Sequence, residues 1–181
     1  MTLRSQAGFG LVETLIAMTV LNVALLALVA SLNSGAVALA RAGEKSNAGS
    51  LAHEQLELYR ALAYPAIALD TASAGDLTAA DTAYACDEAI AVDAAQPCSA
   101  ANRKAQTTIV CAQPLPNECI PSRTVAGADG GSYRVDTYVV EETASGLTAR
   151  PAQVVSVVVR DGDDLARELA RLESTFDEAT G

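Results

Sequence analysis

Few side chains in this 181-residue chain are of the kinds that do chemistry, and their spacing narrows what that chemistry is. Between Ser5 and Ala40 the single ionisable side chain is Glu13. A carboxylate is costly in hydrocarbon, so an ionisable residue inside an apolar run marks function and calls for a partner of opposite charge. The plainer alternative is a side chain that snorkels to the membrane interface. The four cysteines, Cys86, Cys98, Cys111 and Cys119, are spaced 12, 13 and 8 residues apart. No C-x-x-C pair is present, which disfavours zinc. Neighbour pairing, Cys86 with Cys98 and Cys111 with Cys119, closes both loops locally. Each bridge would stabilise the fold by about 3 kcal/mol by restricting the unfolded chain, and bridges imply an oxidising compartment. Four unpaired buried thiols are the alternative. The only histidine, His53, lies beside Glu54 without companions for a metal site and reads as a surface residue. Asp161, Asp163 and Asp164 flank Gly162 in an oxygen-rich run that suits calcium. It lacks the EF-hand spacing, and a turn with a helix cap explains it equally well. No P-loop, G-x-S-x-G or dinucleotide fingerprint occurs.

Composition points the same way. Half of the residues are apolar but only 4% are aromatic, and there is no Trp. The formal net charge is -10 and the pI is near 4.4. Nucleic-acid binding needs a basic face, and attraction to an anionic lipid surface needs basic clusters; neither is available. With so few catalytic side chain types, the chain is expected to be neither an enzyme nor a cofactor carrier.

The elements that must position Glu13 begin with FGLVETLIAMTVLNVALLALVASL, Phe9 to Leu32. As a helix it extends about 36 Å, enough to span a bilayer. Arg4 and the initiator amine precede it, which places the C-terminal bulk outside, although Arg41 and Lys45 on the far side oppose that orientation. A secretory signal peptide would be shorter in its apolar core. A plain signal anchor accounts for the length but not for the carboxylate. Further on, LAHEQLELYRAL reads as an amphipathic helix, with Leu51, Leu58 and Leu62 along one side and Leu56 and Tyr59 beside them. With no proline before Pro65, the expectation is one helix from about Phe9 to Leu62, or two coaxial pieces joined near Gly43. Residues 65–105 read as loop with short helical turns. Strands are predicted at Gln106–Ala112, Tyr133–Val140 and Gln153–Arg160, the last two paired across the loop containing Gly146 and Pro151. Asp163 and Asp164 would then cap a short helix carrying Leu165, Leu169, Leu172 and Phe176. The fold class is α+β, a helix laid on a small antiparallel sheet.

The run A-G-F-G-L-V-E-T-L-I-A-M-T-V-L from Ala7 resembles the class III signal of type IV prepilins and pseudopilins. The resemblance implies a type IV pilin-like fold, cleavage after Gly8 by a prepilin peptidase, and N-methylation of the new N-terminal Phe9. Glu13 then stands fifth in the mature chain, where the family has its glutamate, and its partner would be the amine of Phe9 on a neighbouring subunit. The LAHEQLELYRALAY segment resembles the distal first helix of V-type minor pilins and of I-type pseudopilins. Gly10 stands where the family often has Thr or Ser, and the proline that kinks many major pilins is missing. A third departure is the LARELARLESTF stretch, more helix-like than the closing strand or disulfide loop of many major pilins, and together the three favour a minor subunit over a fibre-forming one. The implied organisation is a leader at 1–8, a transmembrane and filament-core helix at 9–32, its amphipathic continuation at 33–64, and an extracytoplasmic head at 65–181. The expected role is structural: a minor pilin in the inner membrane before assembly, then in a surface pilus, with other pilins, the peptidase and methyltransferase, and the membrane as partners. The alternatives are a type II secretion pseudopilin, with the same processing, and a signal-anchored extracytoplasmic binding or adhesive protein. A membrane-anchored enzyme comes last.

Overall fold

The structure, a computed structural model, describes residues 10–143 and 151–178. Helix α1 runs Leu11–Arg60, rich in Leu and Ala and free of proline. The helix continues through Gly35, Gly43 and Gly49. It ends in a tightened last turn, where Ala61 N–H donates to Leu58 O at 3.3 Å and Leu62 N–H to Tyr59 O at 3.1 Å. Pro65 then enforces a 3-10 turn at Tyr64–Ala66. By its contacts the chain divides into two compact units, Met1–Ala42 and Gly43–Gly181.

In the second unit, strand β1 (Leu69–Asp70) leads into helices α2 (Thr71–Ala80) and α3 (Thr82–Ala85). Strand β2 (Thr108–Ile109) pairs with β1 in parallel. Four further strands, β3 (Ser122–Ala126), β4 (Ser132–Thr143), β5 (Pro151–Asp161) and β6 (Glu168–Asp177), form an antiparallel meander in the order β3-β4-β5-β6. The turn between β3 and β4 needs a left-handed residue, and Gly130 supplies it at φ 77°.

Side chains alternate across a strand, so the sheet has two distinct faces. One face carries Tyr133, Val135, Val139, Val155, Val157, Val159 and Phe176 and packs in one apolar cluster with Ala48, Ala52, Leu56 and Tyr59 of α1. The opposite face presents Tyr138, Val140 and Val158 to Tyr84, Ala89 and Ile90. There the Tyr84 and Tyr138 rings stack with centroids 4.4 Å apart. The class is α+β, a long N-terminal apolar helix with a small antiparallel sheet, as in type IV pilins.

Several elements differ from expectation. The buried stripe of α1 is centred on Ala48, Ala52, Leu56 and Tyr59; Leu51, Leu58 and Leu62 sit on its margins, half-buried. Alanines let the helix lie close to the sheet, a packing choice that a search for large apolar residues overlooks. The stretch Gln106–Ala112 is a strand only at Thr108–Ile109. Residues 71–80 form a helix of ten residues, and β3 was not anticipated. The predicted C-terminal helix is instead strand β6. Ala170, Leu172, Ser174 and Phe176 also share a face at period two, and the exposed backbone edge of valine-rich β5 offers hydrogen bonds from Ala152 to Arg160. Satisfying that open edge outweighs the helical propensity of LARELARLESTF. A register shift at Val159/Arg160 adds one residue to β6, which lets Leu169 join the core too.

Candidate functional site

Glu13 lies in the first turn of α1. Its N–H donates to Gly10 O at 2.9 Å, as does that of Thr14 at 3.2 Å, so the helix is already wound there. A carboxylate in the first turn complements the partial positive charge of the helix N-terminus. Around it Leu11, Val12, Leu15, Ile16 and Met18 are exposed, Leu11 to 82%. This part of α1 is long and apolar enough to cross a membrane. Its hydroxyls are turned back into the helix: Thr14 Oγ1 donates to Leu11 O and Thr19 Oγ1 to Ile16 O, both at 2.8 Å, and Ser34 Oγ to Ala30 O at 3.0 Å. That leaves an apolar exterior interrupted by one acid, suited to lipid or to other apolar helices. Gly8 and Phe9 lie outside the described residues.

The other predicted residues do not converge on a site. Cys86–Cys98 and Cys111–Cys119 are disulfides. The second closes the turn that packs on α1, where Tyr59 Oη donates to Glu118 O at 2.6 Å and Gln55 Nε2 to Asn117 O at 3.4 Å. His53 is exposed on α1, 3.4 Å from Glu57. Asp161 accepts from Asp163 N–H at 3.0 Å and pairs with Arg167 at 2.9 Å, while Asp164 accepts from Ala166 N–H at 3.2 Å. These contacts build the β5–β6 turn rather than a helix cap, and they hold the Asp161 carboxyl below its ordinary range, the Asp163 N–H foremost. Among the described residues no three His, Cys, Asp or Glu side chains group to hold a metal ion.

Sequence reasoning missed a buried chain of alternating charges on the sheet face away from α1. Asp136, fully buried, accepts from Arg134 Nε at 2.7 Å, Arg160 Nε at 3.2 Å and Ser122 Oγ at 2.6 Å. Arg134 continues to Asp81 at 2.7 Å. Arg160 continues to Asp87, which Arg171 grips with two bonds at 2.9 and 3.0 Å, and Arg171 ends on Glu168 at 2.7 Å. Burial pushes the Asp136 carboxyl up, opposed by Ser122 and the two guanidinium groups. Burial also works against Asp81, but the Arg134 bond and the Tyr84 N–H outweigh it and hold that carboxyl below its ordinary range. The chain ties α3 and the disulfide-closed loop to β4, β5 and β6. Its signal in the sequence was a pair of opposite charges two apart, Arg134 and Asp136, inside an otherwise apolar strand, hence on one face.

Residues 3–29 match the family model of the prokaryotic N-terminal methylation motif. Comparison with curated proteins and with solved structures gives no match. A class III signal followed by an apolar helix and an antiparallel sheet defines a type IV prepilin-like protein. The chain is accordingly pilin-like or pseudopilin-like, a structural class that is membrane-anchored before assembly. The motif implies processing by a prepilin peptidase and assembly with other pilins.

Proposed function

We propose that this chain is a minor pilin. The peptidase cuts after Gly8, Phe9 becomes the methylated N-terminus, and residues 9–32 form the membrane anchor that later enters the filament core. Residues 33–64 continue the helix and residues 65–181 form the extracytoplasmic head. The observation that carries this reading is Glu13, the one acid on an exposed apolar helix inside the matched motif. In lipid that carboxylate is costly. Pairing it with the Phe9 amine of a neighbouring subunit would satisfy both charges and fix axial register. The absence of a proline in the apolar helix, with the resemblance of LAHEQLELYRALAY to the distal first helix of V-type minor pilins and of I-type pseudopilins, favours a minor subunit over a major, fibre-forming one.

Two experiments test this. Intact mass and N-terminal peptide mapping, with and without a prepilin peptidase and its methylase activity, should give methylated Phe9 only when the enzyme is present. An N-terminus that stays near Met1 in both samples overturns the reading and leaves a signal anchor. Second, Glu13→Gln should insert into membranes normally yet be lost from assembled filaments; normal incorporation would remove the role given to Glu13. Co-purification with secretion components rather than with pili would make the protein a pseudopilin instead.

A further inference from the structure

Strand β6 is an outer strand of the meander, and β5 occupies only one of its two sides. Which backbone groups lie on the other side follows from the ladder. Gly162 N–H donates to Ser132 O at 2.9 Å, so the even-numbered residues of β5 bond to β4 and the odd-numbered ones to β6. Asp161 agrees, its N–H donating to Arg167 O at 3.0 Å. Gln153, Val155, Val157 and Val159 stand opposite Phe176, Ser174, Leu172 and Ala170. The N–H and C=O groups of Arg171, Glu173 and Thr175 therefore point outward, and none of them bonds to a described residue.

An open edge of this kind is a template for a further strand. At the opposite end of the sheet β3 spans five residues, against ten for β6, and a short edge offers little to pair with. The side chains of β6 decide what fits. On one face Ala170, Leu172 and Ser174 are half-buried, with Ala170 and Leu172 against the core. On the other face Glu173 and Thr175 are exposed. Arg171, the one cation of the strand, is already held by Asp87 and Glu168. Glu173 accepts from Ser156 Oγ at 2.9 Å, and neither it nor Glu141 nor Glu178 forms an ion pair with a described residue. Desolvation first, and then the charges of Glu141, Glu178 and Asp177 at the far end of the strand, push the Tyr64 hydroxyl up. The edge is therefore acidic along its exposed face and apolar beneath.

We infer that β6 takes up an extended segment of a partner protein as a fifth strand, one in which lysine or arginine alternates with apolar residues. Side chains opposite one another across a ladder share a face, so the basic row lies beside Glu173 and the apolar row beside Ala170 and Leu172. A second copy of this chain is the poorer occupant, because it brings its own net charge of -10 to the same acidic edge. The inference does not depend on the pilin reading.

The test is a titration of the isotope-labelled full chain, in uncharged detergent, with a blocked peptide of alternating lysine and valine, beside its glutamate–valine counterpart. The lysine peptide should give saturable amide shifts along β6 and slow hydrogen exchange at the Arg171, Glu173 and Thr175 amides. The glutamate peptide should bind more weakly by about tenfold. Thr175→Pro removes one outward N–H without touching the ladder to β5, so this variant should fold and bind the lysine peptide about tenfold more weakly. Glu173→Lys keeps every backbone group and should reverse the preference between the two peptides. No saturable shift at millimolar lysine peptide, shifts confined to α1, or unchanged binding in both variants would overturn the proposal. Equal binding of the two peptides would overturn the basic partner. Exchange at the three amides that slows with protein concentration alone would put a second copy on the edge instead.

Discussion

Asp136 is where the second sheet face is most exposed to damage by a single change. It holds two guanidinium groups and a hydroxyl out of contact with solvent, and Arg134 Nη2 is already buried without a partner. Removing the carboxylate leaves each guanidinium with one carboxylate, Arg134 with Asp81 and Arg160 with Asp87, and breaking one side of a buried pair costs about 3–5 kcal/mol. Asp136→Ala should lower the denaturation midpoint of the full chain in detergent accordingly. A change under 1 kcal/mol would show that the arginines find other acceptors. At Asp81 the same network gives a pH dependence. Its folded carboxyl titrates below its ordinary value, and so does that of Asp70, held foremost by the Ser73 N–H. Groups of this kind add stability above the ordinary carboxylate range, and that stability is lost as the pH falls through the lower, folded value. Asp81→Asn keeps a competent helix cap but loses the ion pair to Arg134. The variant should therefore lose stability at neutral pH and differ less from the parent as the solution is acidified. Thermal unfolding followed from pH 7 down to pH 2 measures this directly, and parallel curves would exclude it.

The elements owe their placement to small residues as much as to large ones. Ala48 and Ala52 are fully buried where α1 meets the sheet, so the helix backbone lies against valine side chains. Leu58, one of the residues that periodicity favours for the core, is only half-buried. Ala52→Leu should overpack this contact at a cost of about 1–3 kcal/mol, whereas Leu58→Ala should cost less. Chemical denaturation of both variants checks the order, and the reverse ranking would mean that the contact stripe has been misplaced. The β5–β6 turn has a similar tightness: a Cβ at Gly162 would come within 2.9 Å of the Ser132 carbonyl oxygen, so this position tolerates little beyond glycine.

For the molecule as a whole, the two disulfides bind long irregular segments to a small core. Cys86–Cys98 encloses Asp87, the acid that joins Arg160 to Arg171, and so fastens the covalent loop to the charge chain. Closing loops of 12 and 8 residues stabilises each by about 3 kcal/mol in the chain-entropy description. Replacing Cys86 and Cys98 together by Ser should lower the unfolding free energy by that amount under oxidising conditions. Under reducing conditions the parent chain should fall to the level of this variant or below it. Insensitivity of the parent to reductant would mean that the bridges add nothing to the fold. Two disulfides in this unit fit an oxidising compartment.

How much was legible in the sequence follows the range of the forces involved. The apolar helix, its lone Glu13, the pairing of valine-rich β4 with β5 and the local pairing of the cysteines were all readable. Each depends on contiguous composition or on neighbours close along the chain. The strand identity of Glu168–Asp177 was not, because its residues satisfy both a helical and a two-residue period, and the open edge of β5 decided between them. The alanine stripe of α1 escaped for a related reason: closeness of approach is a property of the partner surface. The charge chain joins Asp81, Asp87, Arg134, Asp136, Arg160 and Arg171 across three strands and the segment before them. Such groups are single charges scattered along the chain until folding removes water from between them. Only then do burial and unmet hydrogen-bonding capacity give them their partners.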